Sequence, residues 1–385
     1  MDLKLVLWGS LAAAALLAAV FAAWLLSLPG APTASAARSI DREETDAALA
    51  ALKPPKRKRP LIAVIGIKDS TEITDYLMPY GILRRADVAD VVALATEPGP
   101  VTLFPALRVE PQATAASFDV EHPDGADYVL VPAMSRDDDP AVMQWLRSQA
   151  AKGAIIIGVC AGAKVVAAAG LLDGKRATTH WYYLDELRRE HPAIRSVSDR
   201  RFVVDGRVAT TTGITASMPM ALTLVEAIAG RARAERVSRD LGLADWDARH
   251  DSGAFKFTRP FALTVIGNSL AFWNRERFGI ELAHGVDEVS LALVADAWSR
   301  TYRSRAVTFA ANADGIETRN GIRVVPDEVA TNWPAGRLLP ALGDRRPAEV
   351  LDETLRAIAA RYGTRTADAV ALQLEYPTAR GIGAR

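Results

Sequence analysis

Ala154-Ile-Ile-Ile-Gly158-Val159-Cys160-Ala161-Gly162 carries the single cysteine of a 385-residue chain, at the join between two kinds of sequence. The apolar run 154–158 predicts a short buried strand, and the small residues from Ala161 to Leu172 predict a helix. Glycine at 158 and 162 allows a sharp strand-to-helix turn and leaves room for a reactant beside the sulfur. A sulfur at a helix start meets unpaired N–H groups and a partial positive charge, which favour thiolate over thiol. A thiolate attacks electrophilic carbon or peroxide. Cys160 is therefore expected to be a nucleophile rather than the buried small hydrophobe that a free cysteine more often is.

Outward from this turn, short apolar runs alternate with helical patterns. Strands are expected at 61–66, 91–95, 107–109, 128–132, 202–204 and 208–211, with helices at 73–85 and 218–229. Asp139-Pro140 marks a helix start leading to Ala151. Continuous apolar strands between helices indicate an α/β fold with a mostly parallel, doubly wound sheet covered on both faces. In such sheets reactive groups gather at the carboxyl ends of strands, where Cys160 falls.

Composition narrows the function classes. Lys+Arg and Asp+Glu both number 46, so nothing in the charge balance points to nucleic acid. One cysteine excludes an intrachain disulfide, and five scattered histidines give no metal-ligand spacing. No phosphate-binding glycine loop is present, and no cofactor is expected. The N-terminus differs in kind: Leu5 to Leu28 contains no charged residue, long enough for a transmembrane helix, with Trp8 and Trp24 near its ends. A cleaved signal peptide, helped by the small residues of 31–37, is the alternative, but its apolar region should be shorter. Residues 29–59 read as a linker ending in Pro54-Pro55 and the basic run 56–59. A single-pass protein of a bacterial-type inner membrane is expected, and the basic residues after the helix lean towards a cytoplasmic body.

An internal correspondence appears beyond residue 250. Val91-Val-Ala-Leu-Ala95 through Pro111 matches Ala306-Val-Thr-Phe-Ala310 through Pro326 at an offset of 215 residues, which also pairs Glu72 with Asp287 and Arg85 with Arg300. At that offset Asp75 matches Ser290, and no Gly-x-Cys turn follows residue 230. Residues 60–250 therefore read as the catalytic-type domain. Residues 251–385 read as a region holding a truncated, non-catalytic repeat over about 281–377.

The turn at Gly158–Gly162, followed by Ala168-Ala-Gly-Leu-Leu-Asp-Gly-Lys-Arg-Ala-Thr-Thr-His-Trp181, resembles the ThiJ/PfpI family of the class I glutamine amidotransferase-like superfamily. The likeness is to the branch of isocyanide hydratases and the sensor-like domains of AraC-type regulators. Thr210-Thr-Thr-Gly213 fits that branch's glycine loop, and Leu372-Gln-Leu-Glu-Tyr-Pro377 resembles its C-terminal tail. The resemblance implies a flavodoxin-like α/β fold in which Cys160 meets a carboxylic acid from the first helix, Asp75. A protonated Asp75 would donate to the sulfur and deliver a proton to the attacked substrate. His180 is a candidate to orient the thiolate, and the N–H groups of Ala161 and Gly162 are candidate oxyanion donors. Gly158, Lys164, Thr179, Trp181 and Gly213 are candidate pocket residues, and no metal is expected.

Two readings of function follow. One is a cysteine-dependent hydratase, lyase or hydrolase acting on a small electrophile. The other is a membrane-tethered ligand or redox sensor without its own DNA-binding segment. Expected partners are a small molecule and the lipid bilayer, with no nucleic acid. Relatives commonly pair, so the assembly is expected to be a homodimer or an intrachain pseudo-dimer.

Overall fold

The computed structural model describes residues 3–31 and 37–377. The small residues at 32–36, on which the signal-peptide alternative rested, lie outside the described residues, as do 1, 2 and 378–385. The apolar helix α1 (Leu3–Ser27) comes first, and helix α2 (Arg42–Ala51) follows inside the segment expected to be a linker. That segment is bound to the body: Leu52 is fully buried, Arg57 pairs with Asp127 at 2.7 Å and Arg59 with Asp90 at 2.8 Å. The basic run at 56–59 is thus engaged by body carboxylates rather than left to solvent, because Asp127 is a buried charge that needs a partner.

The body alternates as its sequence pattern requires. In order come β1 (Leu61–Gly66), β2 (Asp69–Glu72), α3 (Ile73–Ala86), β3 (Asp90–Ala95), β4 (Val101–Phe104), β5 (Arg108–Glu110) and β6 (Ala113–Thr114). Then follow α4 (Ala115–Glu121), β7 (Tyr128–Val131), α5 (Pro140–Ala151), β8 (Ile155–Gly158) and α6 (Gly162–Ala168). The helix after Cys160 ends four residues earlier than the small-residue run suggests, where Gly170 takes a left-handed φ of 76°. The short β9 (Arg176–Ala177) and β10 (Arg195–Ser196), which pair with each other, flank α7 (Leu184–Glu190). After them, β11 (Phe202–Asp205), β12 (Val208–Thr211), α8 (Ser217–Ala229) and α9 (Arg231–Leu241) complete this part.

Seven strands form one sheet in the order β11-β12-β8-β7-β1-β3-β6, parallel except for the β11–β12 hairpin. Alternate residues of each strand serve opposite faces. Ile62, Val64, Leu130 and Ile157 join the core beneath α3 and α8, while Ala63, Ile65, Val129 and Ile156 join the core beneath α4, α5 and α6. Coverage on both faces explains why these strands are apolar throughout. It also leaves the carboxyl ends of β8, β12 and β1 as the place where polar groups converge.

The C-terminal half comprises α10 (Arg259–Leu270), β13 (Glu276–Glu281), α11 (Glu288–Ser299), β14 (Ser304–Ala310), β15 (Ile316–Glu317), β16 (Arg323–Val325), β17 (Glu328–Val329), α12 (Pro347–Tyr362) and α13 (Thr364–Gln373). An offset of 215 residues carries β1 onto β13, β5 onto β16 and β6 onto β17, residue for residue. The correspondence thus opens at Glu276, five residues before the expected start at 281. The parallel order β13-β14-β17 repeats β1-β3-β6.

The N-terminal and C-terminal parts meet edge to edge. Val109 of β5 faces Val324 of β16, its own counterpart, in an antiparallel pair that joins both halves in one five-stranded sheet, β15-β16-β5-β4-β2. Helices α3 and α11 pack across the same junction, and their ion pairs are reciprocal: Arg300 with Glu72 at 2.8 Å, and Arg85 with Asp287. Leu291, Val350 and Val370 enter the same core as α3 and α8, so the C-terminal half is no separate body.

Candidate functional site

Cys160 follows β8 with a left-handed φ of 55°, an uncommon state for a residue other than glycine. The surroundings over-determine it. Its N–H donates to Thr211 Oγ1 at 2.9 Å at the end of β12, and its carbonyl accepts from Thr179 Oγ1 at 3.0 Å. Both flanking glycines are steric requirements. A Cβ at Gly158 would lie 2.9 Å from the Ala163 Cα, and one at Gly162 would overlap the Val131 carbonyl. The sequence pattern correctly anticipates this turn, but Gly162 has no donor to spare, because its N–H bonds Val159 O at 2.7 Å. Of the two expected oxyanion donors, Ala161 is the one whose N–H is directed at the sulfur.

Asp75 sits in the first turn of α3, fully buried. Its Oδ2 accepts from the Ala133 N–H at 3.1 Å, and its Oδ1 is buried without a hydrogen-bond partner. Glu72 caps α3, its Oε2 accepting from the Asp75 N–H at 2.6 Å and from Thr74 Oγ1 at 2.8 Å. The other Glu72 oxygen meets Arg300 Nη2 at 2.8 Å, and Arg300 Nε meets Asp296 Oδ1 at 2.6 Å. Three buried carboxyls therefore surround one guanidinium. They cannot all be ionised in a low dielectric. Burial, then the charge of Glu72, raises Asp75 well above the usual carboxylate range, and burial pushes Asp296 up to about 8, so these two carboxyls favour their protonated forms.

The thiolate expected from the helix start is overturned at rest. Cys160 is only 4% exposed, and burial, followed by the charges of Asp75, Glu72 and Glu375, pushes its thiol up. A single N–H from Ala161 pulls the other way. Burial, joined by the nearby acidic groups, outweighs the partial charge of a seven-residue helix.

The remaining candidates sort by their contacts. His180 Nδ1 accepts from the Tyr182 N–H at 3.2 Å, so Nε2 carries the hydrogen and donates to Gln373 O at 2.9 Å. Both ring nitrogens are engaged away from the sulfur, and burial lowers the imidazole pKa; His180 here holds the C-terminal segment in place. Trp181 acts with it, donating from Nε1 to Leu372 O at 2.9 Å and from its backbone to Glu375 Oε1 at 2.7 Å. Gly213 donates to Glu375 Oε2 at 2.6 Å, and a Cβ there would lie 2.5 Å from the Glu375 Cβ. Gly213 is thus a close-approach glycine for the tail. Lys164 points away, paired with Asp137 and Glu186 and lying 5.1 Å over the Tyr183 ring. Burial opposes its charge, but the two carboxylates prevail and raise its pKa.

Sequence reasoning missed four residues: Glu72, Asp296, Arg300 and Glu375. The signals were present, since Glu72 stands at the cap position three before Asp75, and Arg300 is the offset partner of Arg85. A recess of about 710 Å³ between α2 and the edge strand β11 contains neither the sulfur nor Asp75 in its lining. Among the described residues no cluster of three or more metal-ligating side chains occurs.

Fold and site together define a flavodoxin-like α/β protein with a cysteine on a strained strand-to-helix turn and a buried, protonated carboxyl on the first helix. Residues 62–227 match the DJ-1/PfpI family, and the chain belongs to it. It is 34% identical over 175 residues to the isonitrile hydratase of Pseudomonas putida, covering 44% of this chain and 73% of that enzyme. It is 30% identical over 190 residues to the Parkinson disease protein 7 homolog of Danio rerio, covering 48% of this chain and 97% of that protein. Over 112 residues it is 38% identical to the HTH-type transcriptional regulator CdhR of Pseudomonas aeruginosa, covering 29% of this chain but only 33% of the regulator.

Proposed function

We propose that this chain is a membrane-anchored DJ-1/PfpI protein in which Cys160 adds to a small electrophilic carbon, with isocyanides the leading substrate class. The observation that carries the reading is the unpartnered, buried Oδ1 of Asp75, a proton store acting on the sulfur. The likeness to isonitrile hydratase supports the substrate class.

The chemistry balances with these residues alone. The Cys160 sulfur forms a bond to the terminal isocyanide carbon, and that carbon gains a proton, giving a thioimidate R–N=CH–S–Cys. Asp75 delivers that proton and recovers the one the thiol gives up, so its carboxyl ends the step protonated as it began. Water then adds to the thioimidate carbon, and the C–S bond breaks. The products are the N-substituted formamide and the restored thiol. The Ala161 N–H lies where it can stabilise charge near the sulfur. Thr211 and Thr179 keep the turn in its strained conformation.

The C-terminal half serves this site as a built-in partner. We read residues from about 276 onward as a truncated copy whose Arg300 and Asp296 complete the carboxyl cluster around Asp75. The offset correspondence and the Val109–Val324 pairing support that reading, as does Ser290 in the place of the acid. We read α1 as the membrane anchor: residues 10–27 form an unburied apolar span with mean hydropathy 2.1.

Incubating the purified full chain with a small alkyl isocyanide, followed by NMR, tests the enzyme reading. Formamide is expected from the native chain and none from Cys160→Ala; equal formamide from that variant would overturn the mechanism. The likeness to the transcriptional regulator CdhR supports one second reading, a ligand or redox sensor. An inert native chain whose Cys160 still oxidises reversibly with peroxide would establish it instead.

A further inference from the structure

Between Arg259 and Arg275 the chain runs for 15 residues, Pro260 to Asn274, without a charge. This stretch forms α10 and the short 3-10 turn Phe272–Asn274, and it covers little of the core. Leu263 is 50% exposed, Leu270 63%, Phe272 65% and Trp273 70%. Pro260, Leu263, Gly267 and Leu270 recur at helical spacing on one outward face. Soluble surfaces scatter such side chains singly, so a contiguous apolar strip marks a surface that meets something.

The structure indicates what it meets. Arg259 opens α10 and grips the end of α1: its Nε donates to Leu25 O at 3.0 Å, and its Nη2 to Leu26 O at 2.8 Å and Leu28 O at 3.2 Å. Its backbone N–H donates to Pro29 O at 2.9 Å, and Trp24 meets Phe257 with ring centroids 6.3 Å apart. The strip therefore begins where the apolar helix of the anchor ends. At its far end Trp273 borders a recess lined by Arg275, Arg303, Arg337 and Arg361, with Glu276 as its sole acidic residue. Glu276 pairs with Arg361 and, at 3.6 Å, with Arg337. That leaves a net positive rim beside an exposed indole. An apolar helix face ending in tryptophan and flanked by arginines is the pattern of an interfacial segment on an anionic lipid surface.

We propose that α10 and Phe272-Trp273 lie on the bilayer surface into which α1 inserts, with the arginine rim on anionic headgroups. This rests on the anchored reading of α1. The strip gives the body a second attachment point, so the catalytic-type domain is fixed against the membrane rather than tethered below it.

The test uses the full chain carrying Cys160→Ala, with one reporter cysteine at a time: Trp273→Cys, Trp24→Cys or, as a distant exposed control, Val120→Cys. Each is labelled with bimane and placed in nanodiscs of phosphatidylcholine alone or with phosphatidylglycerol. Brominated lipid and aqueous iodide are the two quenchers. The label at 273 is expected to be quenched by brominated lipid and shielded from iodide several-fold relative to 120, more so with phosphatidylglycerol. Adding Arg275→Glu and Arg337→Glu is expected to remove the phosphatidylglycerol increment. Full iodide access at 273 while the label at 24 is lipid-quenched would overturn the proposal and leave the anchor standing. Full iodide access at 24 would overturn the anchor reading itself. Equal shielding at 273 in both lipids would overturn the headgroup role of the arginines.

Discussion

Replacing Arg300 by methionine removes the one cation from a pocket holding Glu72, Asp75 and Asp296. In the native chain Arg300 bonds Glu72 at 2.8 Å and Asp296 at 2.6 Å, and its side chain is 14% exposed. Methionine fills similar apolar volume, so the loss is electrostatic rather than a cavity. Breaking a buried pair from one side leaves an uncompensated charge and costs about 3–5 kcal/mol. A typical domain has about 5–15 kcal/mol to lose, so the effect is large. The cost must depend on pH. Without Arg300, Asp296, which burial already pushes up to about 8, loses its guanidinium partner and rises further above its unfolded value. Its neutral form is tolerated below the ordinary carboxylate pKa, and stability falls as pH rises from there towards the raised pKa. The group contributes up to about 1.4 kcal/mol per pH unit across that window. Urea denaturation of the detergent-solubilised full chain, followed by tryptophan fluorescence between pH 5 and pH 8, measures this. The deficit of Arg300→Met relative to the native chain is expected to widen with pH, and adding Glu72→Gln is expected to recover part of it. A deficit below about 1 kcal/mol at every pH would refute the account of Arg300 as the charge that holds the cluster together.

Three further outcomes follow from the same geometry. Asp75→Asn keeps a neutral side chain of the same shape but no transferable proton, so formamide production should be lost while the thermal midpoint changes little; formamide at the native rate from this variant would contradict the role of Asp75 as proton store. Glu375→Gln weakens two charge-assisted bonds, to Gly213 at 2.6 Å and Trp181 at 2.7 Å, and should cost about 1.5–3 kcal/mol in thermal denaturation and raise amide exchange over 372–377. Gly162→Ala should cost at least about 1–3 kcal/mol or prevent folding, since the new methyl group meets a backbone carbonyl rather than a movable side chain. Ala163→Gly, one residue on, serves as the control that leaves that contact open.

The elements on either side of Cys160 were legible because their signals are local. The apolar runs at 61–66, 128–131 and 155–158 can be buried on both faces only in a sheet covered by helices, and glycine at 158 and 162 announces the turn. Asp75 could be placed only by resemblance, since nothing in its neighbours along the chain separates it from a solvated helix residue. A protonated Asp75 was implied by the resemblance alone, and the physical cause of that protonation was not legible in the chain. The protonation depends on Glu72, Asp296, Arg300 and Glu375, which lie between 3 and 300 residues from Asp75 and act by burial rather than by spacing. His180 is the converse case: its position beside the motif suggested chemistry, yet a local bond from the Tyr182 N–H and a tertiary one to Gln373 O occupy both its nitrogens. The segment 29–59 misled because Pro and mixed charge resemble a spacer. The buried carboxylate of Asp127, which makes Arg57 a tether, is remote in sequence.

The antiparallel meeting of Val109 with Val324 changes how the protein responds to scarcity. Two separate subunits held by such an edge would come apart as their number in a membrane dwindled, and the guanidinium beside the acid would go with them. Linked by covalent chain, the second half is present at a fixed, high effective concentration. If residues from about 276 onward are a truncated copy, as proposed, the carboxyl cluster is complete in every single molecule and one sulfur serves each pair of folds.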